Sequence, residues 1–211
     1  MKPSLDQIVA TFGQAAKAKL GSASAQGEPE DQLRAPFEQL LRDMGQLVGL
    51  PPGKVVAVGE TRLAEHHIRP DYAVTVHGAL AGYVEIKAPG KGAEPRRFKS
   101  EHDKAQWKRL QSLPNLLYTD GGEFSLWRNG ERVGELVRLD GDIETAGLAL
   151  RAGTGLQALF EDFLGWQPVA PRSARELAEA SEPEKHSVAT GTAVDARRDA
   201  VACDGQARLR G

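Results

Sequence analysis

The sequence predicts an α/β domain in which a mixed central sheet is flanked by helices, and three observations predict it. Apolar residues recur at helical spacing in four stretches, and six short β-type runs lie among them. One helical stretch falls between the third and fourth runs, which makes a strand, loop, helix, strand crossover.

The first helix is expected from Ser4 to Leu20. Ser4 is a fitting N-cap, and Leu5, Ile8, Val9 and Phe12 share one face, as in a packing arm. Gly21 to Glu28, small and polar, reads as a flexible connection. From Glu30 to Val48, a second stripe holds Leu33, Phe37, Leu40, Leu41, Met44 and Leu47. Pro36 lacks an amide donor and should bend this helix or delay its start, and Pro51-Pro52-Gly53 stops it. The β-type runs are Val55 to Val58, Tyr72 to Val76, Leu80 to Lys87, Asn115 to Tyr118, Phe124 to Trp127 and Val133 to Leu139. A loop with Gly90, Gly92 and Pro95 leads into a helical mixture from His102 to Gln111. Leu156 to Leu164 places Leu156, Leu159, Phe160, Phe163 and Leu164 on one face and should close the core. From about Glu182 onward there are no aromatics and neither period, so an unstructured tail is expected. The expected organisation is therefore a helix and linker over residues 1–26, a compact domain over 27–180 and a tail over 181–211.

Composition narrows the function. The 211 residues hold 27 basic and 29 acidic side chains, a net charge of −2, so any grip on nucleic acid must be local. A 40% hydrophobic, 27% charged chain is ordinary for a folded protein. Uncharged apolar runs fall short of a membrane span, and no secretory leader pattern is present, so a cytoplasmic location is expected. Cys203, alone, excludes an internal disulfide and a cysteine-based zinc site.

Chemistry concentrates between Arg69 and Gly92. Glu85 and Lys87, two apart in a strand, project from the same face. With His77-Gly78-Ala79 as a hairpin turn and Val76 opposite Leu80, Asp71 lies opposite Glu85. Two ionised carboxylates so placed repel, which makes sense around a divalent cation; oxygen-only ligands favour magnesium. Phosphodiester hydrolysis would follow, with Lys87 orienting a water and offsetting the charge that develops on phosphorus oxygens. The same triplet also occurs as an ordinary salt-bridged surface pair. Tyr83, Val84 and Ile86 argue against that by burying the opposite face, and Pro70 and Pro89-Gly90 bracket the hairpin. From Lys87 to Arg109, eight basic residues stand against three acids. Within this run Lys91, Arg96, Arg97, Lys99, Lys104 and Lys108 are candidates for the DNA backbone, against the plainer reading of a solvated face. Trp107 and Trp127 read as core, and His66 and His67 as loop or surface.

Asp71 in RPDY with Glu85-Ile86-Lys87 resembles the PD-(D/E)XK nuclease signature. EDQLRAPFEQLL, GYVEIKAPGKGAEPRRFKSEHDKAQWKRLQSLPNLLYTDGGEFSLWRNGE and FLGWQPVAPRSARELAE are similar to the amino-terminal nuclease region of single-chain bacterial restriction-modification proteins, a family described as adenine-specific DNA methyltransferases. The likeness covers about Gly27 to Ala180. It implies a restriction-endonuclease-like sheet, with Asp71, Glu85 and the Ile86 carbonyl on Mg2+ (Mn2+ as substitute) and Lys87 as the catalytic lysine. It further implies an assisting acid on the preceding helix, Glu30 first and Glu38 second, and a polar assistant at Gln106. Implied partners are double-stranded DNA, a methyltransferase or specificity subunit, and a second copy on DNA. The chain has neither an N-P-P-Y/F-type motif nor a glycine-rich cofactor loop in strand-to-helix context, so it is not expected to methylate alone. The likeness stops past Ala180, as it would in a truncated product, a frameshifted end or a separately encoded domain. A non-catalytic DNA-binding or regulatory module with the same fold is the alternative, and an interaction domain without nucleic acid a third.

Overall fold

The computed structural model describes residues 3–22, 27–59 and 69–167. His66, His67, part of the linker, the expected tail and Cys203 lie outside the described residues. The helices are α1 (Leu5–Leu20), α2 (Pro29–Leu47), α3 (Glu101–Leu110) and α4 (Leu156–Leu164). The strands are β1 (Val55–Gly59), β2 (Tyr72–Val76), β3 (Ala79–Ile86), β4 (Leu116–Thr119), β5 (Glu123–Arg128) and β6 (Glu131–Arg138). The strands lie in chain order in one sheet; β3 and β4 are parallel and every other neighbouring pair is antiparallel. This is the expected α/β architecture, a restriction-endonuclease-like mixed sheet flanked by helices. No helix among the described residues is long and apolar enough to cross a membrane.

Local chemistry fixes the helix ends. Ser4 and Gln7 form a reciprocal capping box at the start of α1. In α2, Pro29 takes the first turn, where its missing amide hydrogen costs nothing. Pro36 then sits inside the helix, so of its two expected effects, a bend or a delayed start, the delay does not occur. Burial of Leu33, Pro36 itself, Phe37, Leu40, Leu41 and Met44 offsets the backbone hydrogen bond a proline cannot donate.

Both faces of the sheet are covered at its centre, which is why all four residues of β4 are buried, while β1 leaves Val56 and Val58 exposed. On one face α1, α2 and α4 pack over Val74, Val84, Ile86, Leu117, Phe124 and Leu126. On the other, Trp107 and Leu110 of α3, with Ala93 and Phe98 of the preceding loop, pack over Ala73, Tyr83, Leu116, Tyr118 and Trp127. Trp107 and Trp127 meet edge to face at 4.8 Å, core residues as expected. Tyr83 does not bury the face opposite Glu85. Tyr83 and Glu85, two apart in β3, share one side, so Tyr83 packs under α3 beside the charged pair.

The hairpin differs from expectation in one respect that then cancels. Val76 pairs with Ala79, not Leu80, because the turn has only two residues, His77 and Gly78. Both have positive φ, 53° and 82°, as a type I′ turn requires. Ala81 is then an extra residue, a bulge between the Thr75–Leu80 and Val74–Gly82 pairs. Beyond it Tyr72 pairs with Val84, so continuing the ladder by one step sets Asp71 opposite Glu85 after all. At Gly82 a Cβ would come within 2.6 Å of the Asn115 carbonyl and of the Phe163 ring, so only glycine lets β3, the β4 approach and α4 meet this closely.

Candidate active site

The parallel pairing of β3 and β4 aligns their carboxyl ends, and in open α/β sheets that edge is where ligands collect. Glu85 and Lys87 project there from the α3 face, and both are buried, at 2% and 6% exposure. The Lys87 amide still donates to the Thr119 carbonyl, at 2.7 Å, so its backbone is held by the ladder although the strand proper ends at Ile86. The Lys87 ammonium lies 3.0 Å from Glu85 Oε1. From α3, the Gln106 side-chain carbonyl accepts from Lys87 and its amide donates to Glu85 Oε1. Gln106 thus bridges acid and amine and is not a solvent-facing helix residue.

Glu85 Oε2 is buried without a hydrogen-bond partner. Burial, joined by the negative charge of Asp71, pushes the Glu85 carboxyl from 4.5 up to about 7, against the pull of Lys87 and Gln106. Asp71, at the entrance of β2, accepts from the Ile86 amide on Oδ2 at 2.8 Å. Its Oδ1 accepts from Arg34 Nη2 of α2 at 2.7 Å. Burial raises the Asp71 carboxyl on balance, although the Ile86 amide and the Arg34 and Lys87 charges oppose it.

Two residues here were not anticipated. Arg34 holds Asp71 and also Asp31, whose Oδ1 lies 3.0 Å from its Nε. Asp103, in the first turn of α3 after the Ser100 cap, is 5% exposed. Its carboxylate lies 3.7 Å from the Lys87 ammonium and 3.0 Å from that of Lys91. Burial would raise its pKa, but the Lys91 hydrogen bond and the two ammonium charges prevail and hold it below the usual carboxylate value. The available signal was spacing: Asp103 and Gln106 are three apart on α3 and share a helix face. Tyr118 pairs with Glu85 across the parallel ladder, and its buried hydroxyl also has no partner. Burial and the nearby carboxylates of Glu85, Asp103 and Asp71 raise its pKa.

Of the two helix acids, Glu38 accepts from the Tyr72 hydroxyl at 3.0 Å, next along the chain from Asp71. Glu30 sits one turn before Arg34 on the same face of α2, and no hydrogen bond or ion pair with a described residue engages it.

The basic run divides. Lys91 is paired with Asp103, Lys104 with Glu101, and Arg96 with Glu131, its guanidinium lying 5.0 Å over the Trp127 ring. Arg97, Lys99 and Lys108 are exposed, and none forms an ion pair with a described residue. The glycine-bearing loop is strapped to the β4–β5 turn: the Gly92 amide donates to Asp120 Oδ2 at 2.7 Å and the Ala93 amide to Glu123 Oε2 at 3.2 Å.

As donors for a hard cation, the site offers Glu85 Oε2, which lacks a partner, and the Asp71 carboxylate close enough to perturb it. Among the described residues no cluster of three or more histidine, cysteine or acidic side chains forms a metal cage. Magnesium fits such a reduced set, since it usually takes one or two carboxylates and completes its shell with water and substrate phosphate.

No family model matches the chain, and no curated protein matches it. Among solved structures the chain is similar to one described as the cryo-EM structure of a DrdV–DNA complex, at 22% sequence identity and a TM-score of 0.49. That similarity covers 77% of this chain and spans only 14% of the length of the other.

Proposed function

We propose that this chain is a metal-dependent DNA endonuclease domain of a restriction-modification system, hydrolysing phosphodiesters in the cytoplasm. The observation that supports it is a buried Glu85 with one carboxylate oxygen unsatisfied, facing Asp71 and flanked by a buried Lys87. A buried carboxyl held near 7 beside a buried amine costs stability, and such arrangements cluster at functional sites. Asp71, Glu85 and the Ile86 carbonyl would hold Mg2+, with Mn2+ as a substitute. When bound, the cation supplies Lewis acidity toward the scissile phosphate and lowers the pKa of a bound water.

The chain's own groups do the rest. Lys87 is a compact point charge, fixed by Glu85, Gln106 and Asp103 at the sheet edge. There it can hold a water by one hydrogen bond and offset charge developing on a phosphate oxygen. Gln106 acts on Lys87 and Glu85 as a positioning residue. Glu30 and Glu38 flank Arg34 on α2, with Glu38 reaching the site through Tyr72. Lys91, Arg96, Arg97, Lys99, Lys104 and Lys108 would follow the DNA backbone. A methyltransferase or specificity partner would supply base readout, and pairing of two copies on DNA would allow both strands to be cut.

One observation favours a second reading, a non-catalytic DNA-binding module: both oxygens of Asp71 are already engaged by Arg34 and the Ile86 amide. Incubation of the purified chain with duplex DNA and Mg2+, alongside Lys87→Ala, tests the choice. The nuclease reading expects cleavage by the parent and at least about a hundredfold loss in the variant. Equal cleavage by both after repurification would remove Lys87 from the chemistry, and salt-dependent DNA binding without cleavage or metal uptake would establish the second reading.

A further inference from the structure

We propose that Arg34 couples DNA binding to cation binding: in the free protein it is the counter-ion of Asp71, and on the complex its guanidinium moves to a backbone phosphate and releases Asp71 to a divalent cation. The inference rests on the nuclease reading of this site and names the residue that would regulate its loading.

The geometry supports an exchange over a fixed salt bridge. Arg34 Nη2 lies 2.7 Å from Asp71 Oδ1, so a guanidinium already neutralises the carboxylate a cation would need. The two positive groups compete for one carboxylate and repel each other when both are near it. Arg34 Nε is separately bound to Asp31 Oδ1 at 3.0 Å, one turn earlier on α2. That second bond is a pivot: Nη2 can leave Asp71 while Nε keeps the guanidinium at the site. The Arg34 side chain is 31% exposed and that of Asp71 18%, so the arginine has the wider path to an incoming ligand. The planar fork of arginine also suits two oxygens of a phosphate as well as it suits a carboxylate. Linkage then requires reciprocity: whatever factor DNA adds to cation affinity, the cation adds to DNA affinity.

The test is Mn2+ titration of the full chain by calorimetry, alone and with a phosphorothioate duplex that resists cleavage, after subtraction of Mn2+ uptake by the duplex. Parent, Arg34→Gln, Arg34→Lys and Asp71→Asn are compared, with a thermal melt to confirm that each is folded. For the parent, DNA should tighten Mn2+ binding about tenfold or more. Arg34→Gln should bind Mn2+ several-fold tighter than the parent without DNA and gain clearly less from DNA, with Arg34→Lys between the two. If Asp71→Asn abolishes Mn2+ binding while Arg34→Gln matches the parent in affinity and in gain, the role of Arg34 is refuted and the metal site stands. If Mn2+ binds none of the proteins with or without DNA, the metal-dependent reading falls and this inference with it.

Discussion

Replacing Glu85 by glutamine should make the protein more stable above neutral pH while removing its proposed activity. The Glu85 carboxyl is raised from 4.5 to about 7 in the folded chain. At about 1.4 kcal/mol per pKa unit, this corresponds to about 3 kcal/mol by which the folded state disfavours the ionised form. The sign follows from linkage: below about pH 4.5 the carboxyl is protonated folded or unfolded, and there is no penalty. As pH rises toward about 7 the unfolded chain ionises first, so stability is progressively lost, and above that the whole penalty applies. Glutamine cannot ionise and escapes it. Its amide, set where Oε2 has no partner, would itself leave a buried donor unsatisfied at a cost of about 1 kcal/mol. Glu85→Gln should therefore be about 1 kcal/mol less stable than the parent near pH 4.5 and about 2 kcal/mol more stable at pH 8. Urea unfolding followed by tryptophan fluorescence, with chelator present, measures both. A stability difference that does not change between these pH values would show that Glu85 titrates normally and would refute the reasoning.

Three further outcomes are expected. Asp103→Asn weakens the seat of Lys87 and frees Lys91, and should slow cleavage about tenfold, or about 1.4 kcal/mol in barrier, in single-turnover assays. Gly82→Ala forces a Cβ to within 2.6 Å of backbone and ring atoms and should destabilise the fold by about 2 kcal/mol in urea, independently of pH. Arg97→Ala with Lys108→Ala removes two exposed cations that form no ion pair with a described residue. It should flatten the log–log salt dependence of DNA affinity by about 0.9 for each phosphate that is no longer neutralised, measured by fluorescence anisotropy.

The elements were legible because periodicity and burial agree. Tyr72–Val76 and Leu156–Leu164 have the bounds their apolar patterns predict, and the other elements differ from their patterns by one to a few residues. Pro36 does not delay the start of α2, because the stripe around it buries enough apolar surface to carry the helix through it. The Glu85–Lys87 adjacency follows from strand alternation, and Gln106 follows from α3 crossing the same face. What stayed hidden depends on partners far apart in sequence. Arg34 meets a residue 37 positions later, and nothing local marks it among the charges of α2. The basic run looked more available than it is, because Glu131, 35 positions after Arg96, neutralises part of it from elsewhere in the fold, and Asp103, within the run, folds back onto Lys91.

The bulge at Ala81 has a consequence for how this hairpin tolerates change. Its tip is solvent-exposed and distant from the chemistry, and the ladder between the two carries one surplus residue. An unbroken ladder that paired Ala81 with Val74 would set Asp71 opposite Val84, turned away from Glu85, and the bulge shifts the pairing by the one step that brings the two acids face to face. Loss of the Ala81 codon would bring Gly82 directly after Leu80 and keep Val74–Gly82 and the pairs beyond it, so the hairpin holds one spare residue whose removal leaves the two acids facing each other.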